Sequence, residues 1–121
     1  MTDTLSSGKT LAKNGILTSA NGTYTLTMAS NGNLILAKKG TQIWSTGTSG
    51  SNVVAFMEPS GDLFVNGILP WHTGTYSPGA YLKVQNDGDL VMYSAGNVQI
   101  WATGTGPASP ALESTSPAEG E

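Results

Sequence analysis

The sequence predicts an all-β fold in which three small antiparallel sheets pack around a common axis. Two phrases recur three times in the same order, about 27 to 30 residues apart. Such a period indicates one supersecondary unit used three times. Strand-like runs separated by Asn-Gly, Ser-Gly and Asp-Gly turns make that unit β, and no window has a sustained helical period. The turn phrases are Asn31-Gly-Asn-Leu34, Ser60-Gly-Asp-Leu63 and Asp87-Gly-Asp-Leu90, and the closing phrases are Trp44-Ser-Thr-Gly-Thr48, Trp71-His-Thr-Gly-Thr75 and Trp101-Ala-Thr-Gly-Thr105.

The third copy predicts a hairpin with a defined register. Two strands, 81–85 and 89–93, flank a three-residue loop that ends in Gly88, a residue suited to positive φ. Gln85 then lies opposite Asp89, and one face becomes uniformly apolar, whereas a slip of one residue would mix the faces. The inner-face residues are Leu82, Val84, Leu90 and Met92.

The same rule applied to the other copies gives two more apolar faces. Packing these faces around a shared axis buries them, and the closing tryptophans are predicted to fill that axis. The alternative role for the tryptophans is a stacking platform for a ligand. The predicted inner residues are Leu26, Met28, Leu34 and Leu36 in the first copy and Ala55, Met57, Leu63 and Val65 in the second.

Composition excludes several classes of function. There is no cysteine, so disulfides, thiolate catalysis and cysteine zinc sites are excluded. There is no arginine, and residues 1–105 carry five acids and five lysines, which makes nucleic-acid binding a poor fit. The net charge of −3 comes from the Pro/Ser-rich segment 106–121, which is predicted to be disordered. The domain is therefore expected at 1–105, with repeats at about 20–48, 49–75 and 76–105.

The chain shows no targeting or membrane signal. No apolar run approaches the roughly 20 residues of a membrane helix, so membrane insertion is not expected. The first residues lack the apolar stretch of a signal peptide. The localisation is therefore unknown from the sequence, which fits a cytoplasmic protein as well as one exported by a non-classical route.

The third turn phrase lies within a longer pattern, Gln85-Asn-Asp87-Gly-Asp89-Leu-Val91-Met-Tyr93. It resembles the sugar motif of the bulb-type, or monocot mannose-binding, lectins, Gln-x-Asp-x-Asn-x-Val-x-Tyr, at four of five positions. The resemblance covers roughly residues 5–105 and implies the β-prism II fold, with three four-stranded sheets about a pseudo-threefold axis.

The resemblance also implies a site that binds mannose or mannose-containing glycans. The equivalents of Gln85, Asp87 and Asp89 bond sugar hydroxyls around O2 and O3. The equivalent of Val91, expected here to face solvent, packs on the ring carbons, and that of Tyr93 bonds O4. An axial O2, as in mannose, is what this arrangement selects. No metal and no other cofactor is implied.

Asp89 departs from the family motif. Asparagine both donates and accepts hydrogen bonds, whereas an ionised aspartate only accepts. One compromised hydrogen bond predicts mannose binding weaker by about 1 kcal/mol. Asp87 lies close by, and Lys83 on the same face is expected to neutralise the acidic pair.

The first two copies are predicted to be degenerate sites. The second copy also places Val54, Phe56 and Phe64 on its outer face, which predicts a homodimer contact unless the N-terminal segment or a neighbouring loop covers them. The degenerate positions are Asn31, Asn33 and Ile35 in the first copy and Glu58 and Asp62 in the second.

Three other functions compete with a lectin. The first is a prism that has lost sugar binding and uses its aromatic face on a protein partner. The second is a glycosidase with Asp87 and Asp89 as its carboxyl pair, but His72 has no evident partner and nothing suggests a cleft, so no enzyme is expected. The third is a calcium site at Asn86 and these two acids, which lacks further oxygen ligands.

Overall fold

The computed structural model describes residues 2–106, and strands are the only regular secondary structure in this part of the chain. None of its segments is a helix that could cross a membrane. The tail predicted to be disordered lies, from residue 107 onward, outside the described residues. The strands are β1 (Thr4–Leu5), β2 (Thr10–Leu11), β3 (Ile16–Thr18), β4 (Tyr24–Met28), β5 (Leu34–Lys38), β6 (Thr41–Ser45), β7 (Ala55–Met57), β8 (Leu63–Val65), β9 (Trp71–His72), β10 (Tyr81–Val84), β11 (Leu90–Tyr93) and β12 (Gln99–Ala102).

The strands form three four-stranded antiparallel sheets, β3-β4-β5-β6, β2-β7-β8-β9 and β1-β10-β11-β12. Each sheet takes three consecutive strands from one copy and its fourth strand from the N-terminal segment. That segment serves the sheets in reverse order, so β1 joins the third copy and β3 the first. The sequence analysis did not anticipate this arrangement, because two-residue strands such as β1 and β2 carry no readable alternation.

The predicted registers are confirmed. In the third hairpin Leu82 pairs with Met92, Lys83 with Val91 and Val84 with Leu90. The first and second hairpins have the same arrangement. The twelve predicted inner-face side chains are all at most 1% exposed and form one continuous core. An alternating pattern next to a turn of fixed length leaves only one register that buries a complete face.

The closing tryptophans are partly buried and meet one another at the junction of the three copies. Trp44, Trp71 and Trp101 pack edge to face with ring centroids 5.7, 6.0 and 5.8 Å apart and interplanar angles of 68–73°. The nearly equal distances and angles show that the copies are related by a pseudo-threefold axis, as expected for a β-prism II. Edge-to-face pairs of this kind contribute roughly 0.5–1.5 kcal/mol each beyond their burial. The tryptophans pack against the core, as predicted.

Hydrogen bonds between the turn and closing phrases explain why both recur. In the third copy Asp89 Oδ1 accepts from Thr103 Oγ1 (3.1 Å) and from Gly104 N (3.0 Å). The same acceptor position binds Thr46 and Gly47 through Asn33, and Thr73 and Gly74 through Asp62. The last threonine of each phrase donates to a turn carbonyl over 2.6–2.7 Å, Thr48 to Gly32, Thr75 to Gly61 and Thr105 to Gly88.

Candidate functional site

The polar residues of the third-copy motif form one hydrogen-bonded chain on the outer surface of the third sheet. Tyr93 OH donates to Gln85 Oε1. Gln85 Nε2 donates to both carboxylate oxygens of Asp87 at 3.3 Å, and Asp87 Oδ1 accepts from the backbone N–H of Asp89 at 2.9 Å. The hairpin therefore brings these four residues together. We call Gln85, Asp87, Asp89, Val91 and Tyr93 the third-copy site.

Val91 lies on the outer pleat of β11, but the expectation that it faces solvent is wrong, since only 1% of it is exposed. It does not belong to the central core. Lys83 and Ala102 lie directly opposite it on the neighbouring strands. The hydrogen bond between Tyr93 and Gln85 joins residues on either side of the Lys83–Val91 pair and so spans it.

The two oxygens of Asp89 have different surroundings. Oδ1 holds the closing phrase through Thr103 and Gly104. Oδ2 has no hydrogen-bond partner among residues 2–106. An amide has the same Oδ1 acceptor as a carboxylate, and Asn33 uses it in the first copy to bind Gly47 N. Aspartate in place of asparagine at position 89 therefore changes only the second atom, Oδ2 instead of Nδ2.

The expected neutralisation by Lys83 is not seen. Within the described range the one ion pair joins His72 and Asp62, so Lys83 Nζ lies beyond salt-bridge distance of Asp87 and Asp89. Lys83 projects from β10 opposite Val91, one residue pair away from the acids along the strand. Its contribution to the site through charge pairing is therefore absent from the structure.

Tyr81 supports the site and was missed by the sequence analysis. Its ring stacks on Tyr93 at a centroid distance of 5.6 Å, and its hydroxyl donates to Asn97 Oδ1 at 2.6 Å. Burial raises the pKa of Tyr93, and Tyr81, Asp87 and Asp89 raise it further. The Tyr93 hydroxyl therefore stays protonated as a donor. The register of strands 81–85 and 89–93 already places Tyr81 opposite Tyr93, and that position was the signal for it.

The hairpin turn is held by residues from the start of the first copy. Asn21 N donates to Asn86 Oδ1 at 2.9 Å, and Asn21 Nδ2 donates to Asn86 O at 3.3 Å. The Tyr24 ring packs on Gly88, where a Cβ would come within 2.8 Å of it. Gly88 also has φ +91°, so the position requires glycine twice over. Contacts so distant in sequence could not be found from local patterns.

The first copy lacks the groups of the third. Asn31 Oδ1 accepts from the Asn33 backbone N–H, and Asn33 Oδ1 holds the closing phrase. Alanines, Ala29 and Ala37, stand where the third copy has Gln85 and Tyr93. Ile35 is half-buried. The first copy therefore has no counterpart of the Gln85 and Tyr93 side chains.

In the second copy the polar side chains form hydrogen bonds with one another and with nearby backbone. Asp62 Oδ1 holds Thr73 and Gly74, and its Oδ2 pairs with His72 Nδ1 at 2.9 Å. Glu58 Oε1 accepts from Ser60 Oγ at 3.4 Å. His72 therefore does have a partner, contrary to the sequence analysis.

Asp62 is expected to make the fold sensitive to acid. Burial alone would raise the pKa of Asp62, but the hydrogen bonds from Thr73, Gly74 and His72 outweigh it and hold this pKa below its ordinary value. A lowered folded-state pKa stabilises the protein above the unfolded value of about 3.9, and this stabilisation disappears as pH falls through the folded pKa.

The matched variant is Asp62→Asn, because Asn33 makes the equivalent backbone contact as an amide. Urea unfolding of both proteins between pH 7 and 2 should show the wild type losing its advantage over the variant in that acidic window. A constant difference across the range would contradict a role for the Asp62 charge.

The aromatic face of the second copy is less open than expected. Val54, Phe56 and Phe64 are all half-buried. Thr10 of β2 lies opposite Phe56, and His72 of β9 lies opposite Phe64 with the rings 6.4 Å apart. The N-terminal segment thus flanks this face.

Residues 2–106 contain no group of three or more histidine and acidic side chains arranged to hold a metal ion.

Comparison with known proteins identifies the family. No protein-family model and no curated protein matches the chain. Solved structures do match. The monomeric monocot mannose-binding lectins from Gastrodia elata are 33% identical over 88% of this chain and 100% of theirs, with a TM-score of 0.79.

Two further matches have a bound sugar. The Polygonatum cyrtonema lectin, complexed with monomannoside, is 31% identical over 88% of this chain and 99% of its own, with a TM-score of 0.69. The snowdrop (Galanthus nivalis) agglutinin, complexed with methyl-α-D-mannoside, is 28% identical over the same shares, with a TM-score of 0.68. With the shared fold, repeats and near-complete coverage of both chains, this chain belongs to the monocot mannose-binding, bulb-type lectin family.

Proposed function

We propose that this chain is a carbohydrate-binding lectin that recognises α-D-mannose, or glycans containing it, at the third-copy site within a lectin domain of residues 1–105. The observation that carries the proposal is the hydrogen-bonded chain from Tyr93 through Gln85 and Asp87 to Asp89. The side chains of Tyr93, Gln85 and Asp87 offer a phenol donor, an amide with both capacities and a carboxylate acceptor. Asp89 joins the chain through its backbone N–H, and its Oδ2 adds a further acceptor next to Asp87. A hexose presents hydroxyls of both kinds and an apolar ring face.

Binding in this proposal exchanges internal hydrogen bonds for bonds to the sugar. Opening the bond between Tyr93 and Gln85 frees one donor and one acceptor and uncovers Val91 for the ring carbons. Each internal bond lost is replaced, so the net gain per bond is modest, about 0.5–1.5 kcal/mol. A single site is therefore weak, and no metal takes part in the exchange.

The proposal predicts that Asp89→Asn strengthens binding of methyl α-D-mannoside about fivefold, which corresponds to one restored hydrogen bond of about 1 kcal/mol. Asparagine keeps the Oδ1 anchor to Thr103 and Gly104, so the hairpin is expected to stay folded. It replaces Oδ2, which has no hydrogen-bond partner within residues 2–106, by an N–H donor. Isothermal titration calorimetry of both proteins measures the change.

The same titration tests the function itself. Wild-type protein should bind methyl α-D-mannoside with undiminished affinity in EDTA. Equal or weaker binding by Asp89→Asn would contradict the prediction that aspartate at position 89 weakens mannoside binding. Absence of binding in both proteins would contradict the lectin proposal and favour a prism that binds a protein partner.

The chain is not an enzyme, since its structural relatives are lectins. The finer expectation of a homodimer through Val54, Phe56 and Phe64 stays a prediction. Against it stands the half-burial of all three side chains. The Gastrodia elata lectins, which this chain resembles over their full length, are described as monomeric.

A further inference from the structure

Two residues outside the sugar motif continue the hydrogen-bonded chain of the third-copy site away from its turn. Tyr81 lies opposite Tyr93 in the pairing of β10 with β11, and the two rings stack with centroids 5.6 Å apart and an interplanar angle of 29°. The Tyr81 hydroxyl donates to Asn97 Oδ1 at 2.6 Å. Tyr93 in turn donates to Gln85. The contacts therefore run without a break from Asn97 to the motif.

Asn97 is a fixed end of this chain, because a tight turn between β11 and β12 holds its backbone. Its N–H donates to Ser94 O at 2.8 Å, and Ser94 N donates to Val98 O at 2.8 Å. The Ser94 hydroxyl also accepts from Val98 N at 3.1 Å. Asn97 has φ +67°, a conformation in which asparagine is enriched over most other residues. The turn thus holds the residue whose amide oxygen binds Tyr81.

The backbone at Tyr93 is irregular on the side of β12. The register of β11 against β12 shifts between Met92 and Tyr93. Tyr93 therefore pairs with Gln99 and not with Ile100. A bulge of this kind disturbs the ladder and changes the direction of a neighbouring side chain. On the side of β10 the pairing is regular, and there the ring of Tyr81 lies against the half-buried ring of Tyr93.

The aromatic pair occurs in the copy that carries the third-copy site and is replaced in the other two. At the equivalent pair the first copy has Thr25 opposite Ala37. In the second copy Asn66 N donates to Val54 O, and Asn66 Oδ1 accepts from Val54 N at 2.8 Å. These two copies therefore have neither a phenol hydroxyl at this place nor a ring to orient one.

A stacked neighbour matters for binding because a tyrosine side chain has several rotamers. A ligand that bonds the hydroxyl must hold the side chain in one of them, and this ordering costs free energy unless the protein already restricts the rotamer. The stack with Tyr81 restricts the ring of Tyr93, and the bond to Asn97 restricts Tyr81. The Tyr93 hydroxyl is thereby kept beside Gln85 before a ligand arrives.

We propose that Tyr81 is a positioning residue of the third-copy site, held in place by Asn97, and that it raises the affinity for mannosides by fixing the direction of the Tyr93 hydroxyl. This inference rests on the proposed function. Neither Tyr81 nor Asn97 contacts the sugar in this proposal, because both act through Tyr93.

Calorimetry with methyl α-D-mannoside tests the role of the ring. Tyr81→Ala should weaken binding about fivefold, as expected when the ligand must order one more side chain. Tyr81→Phe keeps the stacked ring and loses only the bond to Asn97, so its affinity should lie between those of Tyr81→Ala and the wild type. Asn97→Gly removes the same hydrogen bond at a position where glycine tolerates positive φ, and it should match Tyr81→Phe.

Coupling to Tyr93 distinguishes positioning from a general structural effect. In a Tyr93→Phe background no hydroxyl remains to be positioned, so Tyr81→Ala, Tyr81→Phe and Asn97→Gly should each cause no further loss of affinity. Such non-additivity is the signature of residues that act through one another. Ligand-observed NMR measures the weaker affinities of these double variants. Full loss in the Tyr93→Phe background, or a Tyr81→Ala variant that binds as tightly as the wild type, overturns the inference.

Tyr76→Ala is the matched control, because Tyr76 is 79% exposed and lies outside the strands of the third sheet. It should bind the mannoside like the wild type. Thermal melting shows which variants fold, and if Tyr81→Ala does not, the milder Tyr81→Phe and Asn97→Gly decide the question by their coupling to Tyr93. Wild-type binding that is independent of Tyr81 overturns the positioning role alone. A wild type that binds no mannoside overturns the proposed function and this inference together.

Discussion

A Gly61→Ala variant is expected to lose about 2–4 kcal/mol of folding free energy, from overpacking together with backbone strain. Gly61 has φ +100°, and a Cβ there would lie 2.2 Å from the nitrogen and 2.3 Å from the oxygen of Ser77. Backbone atoms cannot swing aside as a side chain can. Relief of the clash requires the second and third copies to separate.

The matched control is Gly40→Ala. Gly40 has φ +86°, similar to Gly61, but a Cβ there meets nothing within 4 Å. Strain alone should cost about 1–2 kcal/mol. Urea unfolding of the two variants separates the contributions, and equal losses would show that the contact with Ser77 is not a tight constraint.

The contact at Gly61 is one part of a repeated docking arrangement. Ser77 N donates to Ser60 O at 2.8 Å, and Gly50 N donates to Asn31 O at 3.0 Å. Each of these turns thus forms a backbone hydrogen bond with the chain that begins the next copy. The turn glycine allows the close approach that this bond requires. The turn phrase therefore recurs for packing between copies, independently of any ligand.

Most of the core could be predicted from the sequence because it depends on local rules. Alternation with period two, next to a turn whose length sets the register, determines which face of each hairpin is buried. The three repeats then predict a threefold arrangement, and the tryptophan at the equivalent position of each copy predicts which side chains pack at its axis. These features need no knowledge of contacts distant in sequence.

The short N-terminal strands and the exposure of Val91 could not be predicted in this way. β1 has two residues, and its place beside β10 is decided by contacts more than 70 residues away in the chain. Val91 lies on the outer pleat and is nevertheless only 1% exposed, next to the hydrogen-bonded side chains of Tyr93 and Gln85. Alternation gives the face on which a side chain lies, but neighbouring side chains decide whether solvent reaches it.

The structural role of Asp89 is visible in the sequence itself. An amide or acid at this position occurs with a Thr-Gly pair in all three copies, including the two with degenerate sites. A residue type retained where the proposed sugar site is lost indicates a structural contact. The hydrogen bonds to Thr103 and Gly104 are that contact. One residue thus anchors the hairpin and takes part in the proposed site.

Asp87→Asn is expected to weaken binding of methyl α-D-mannoside about 10- to 100-fold. A hydrogen bond to a charged group contributes about 1.5–3 kcal/mol, and each 1.4 kcal/mol corresponds to about a factor of ten. The carboxylate can accept from two sugar hydroxyls, whereas an amide presents one acceptor and a donor. The turn is expected to persist, since Asn31 Oδ1 makes the same bond to a backbone N–H in the first copy at 3.0 Å.

Asp62→Asn in the second copy is the control, because it makes the same chemical change outside the third-copy site. It should leave the affinity for the mannoside unchanged. Calorimetry on the two variants then distinguishes a local loss of a hydrogen-bond acceptor from a general effect of charge, since each removes one negative charge from the domain. Equal weakening by both would contradict the placement of the site in the third copy. Undiminished binding by Asp87→Asn would show that Asp87 is not part of the third-copy site, because the remaining groups would then suffice to hold the sugar.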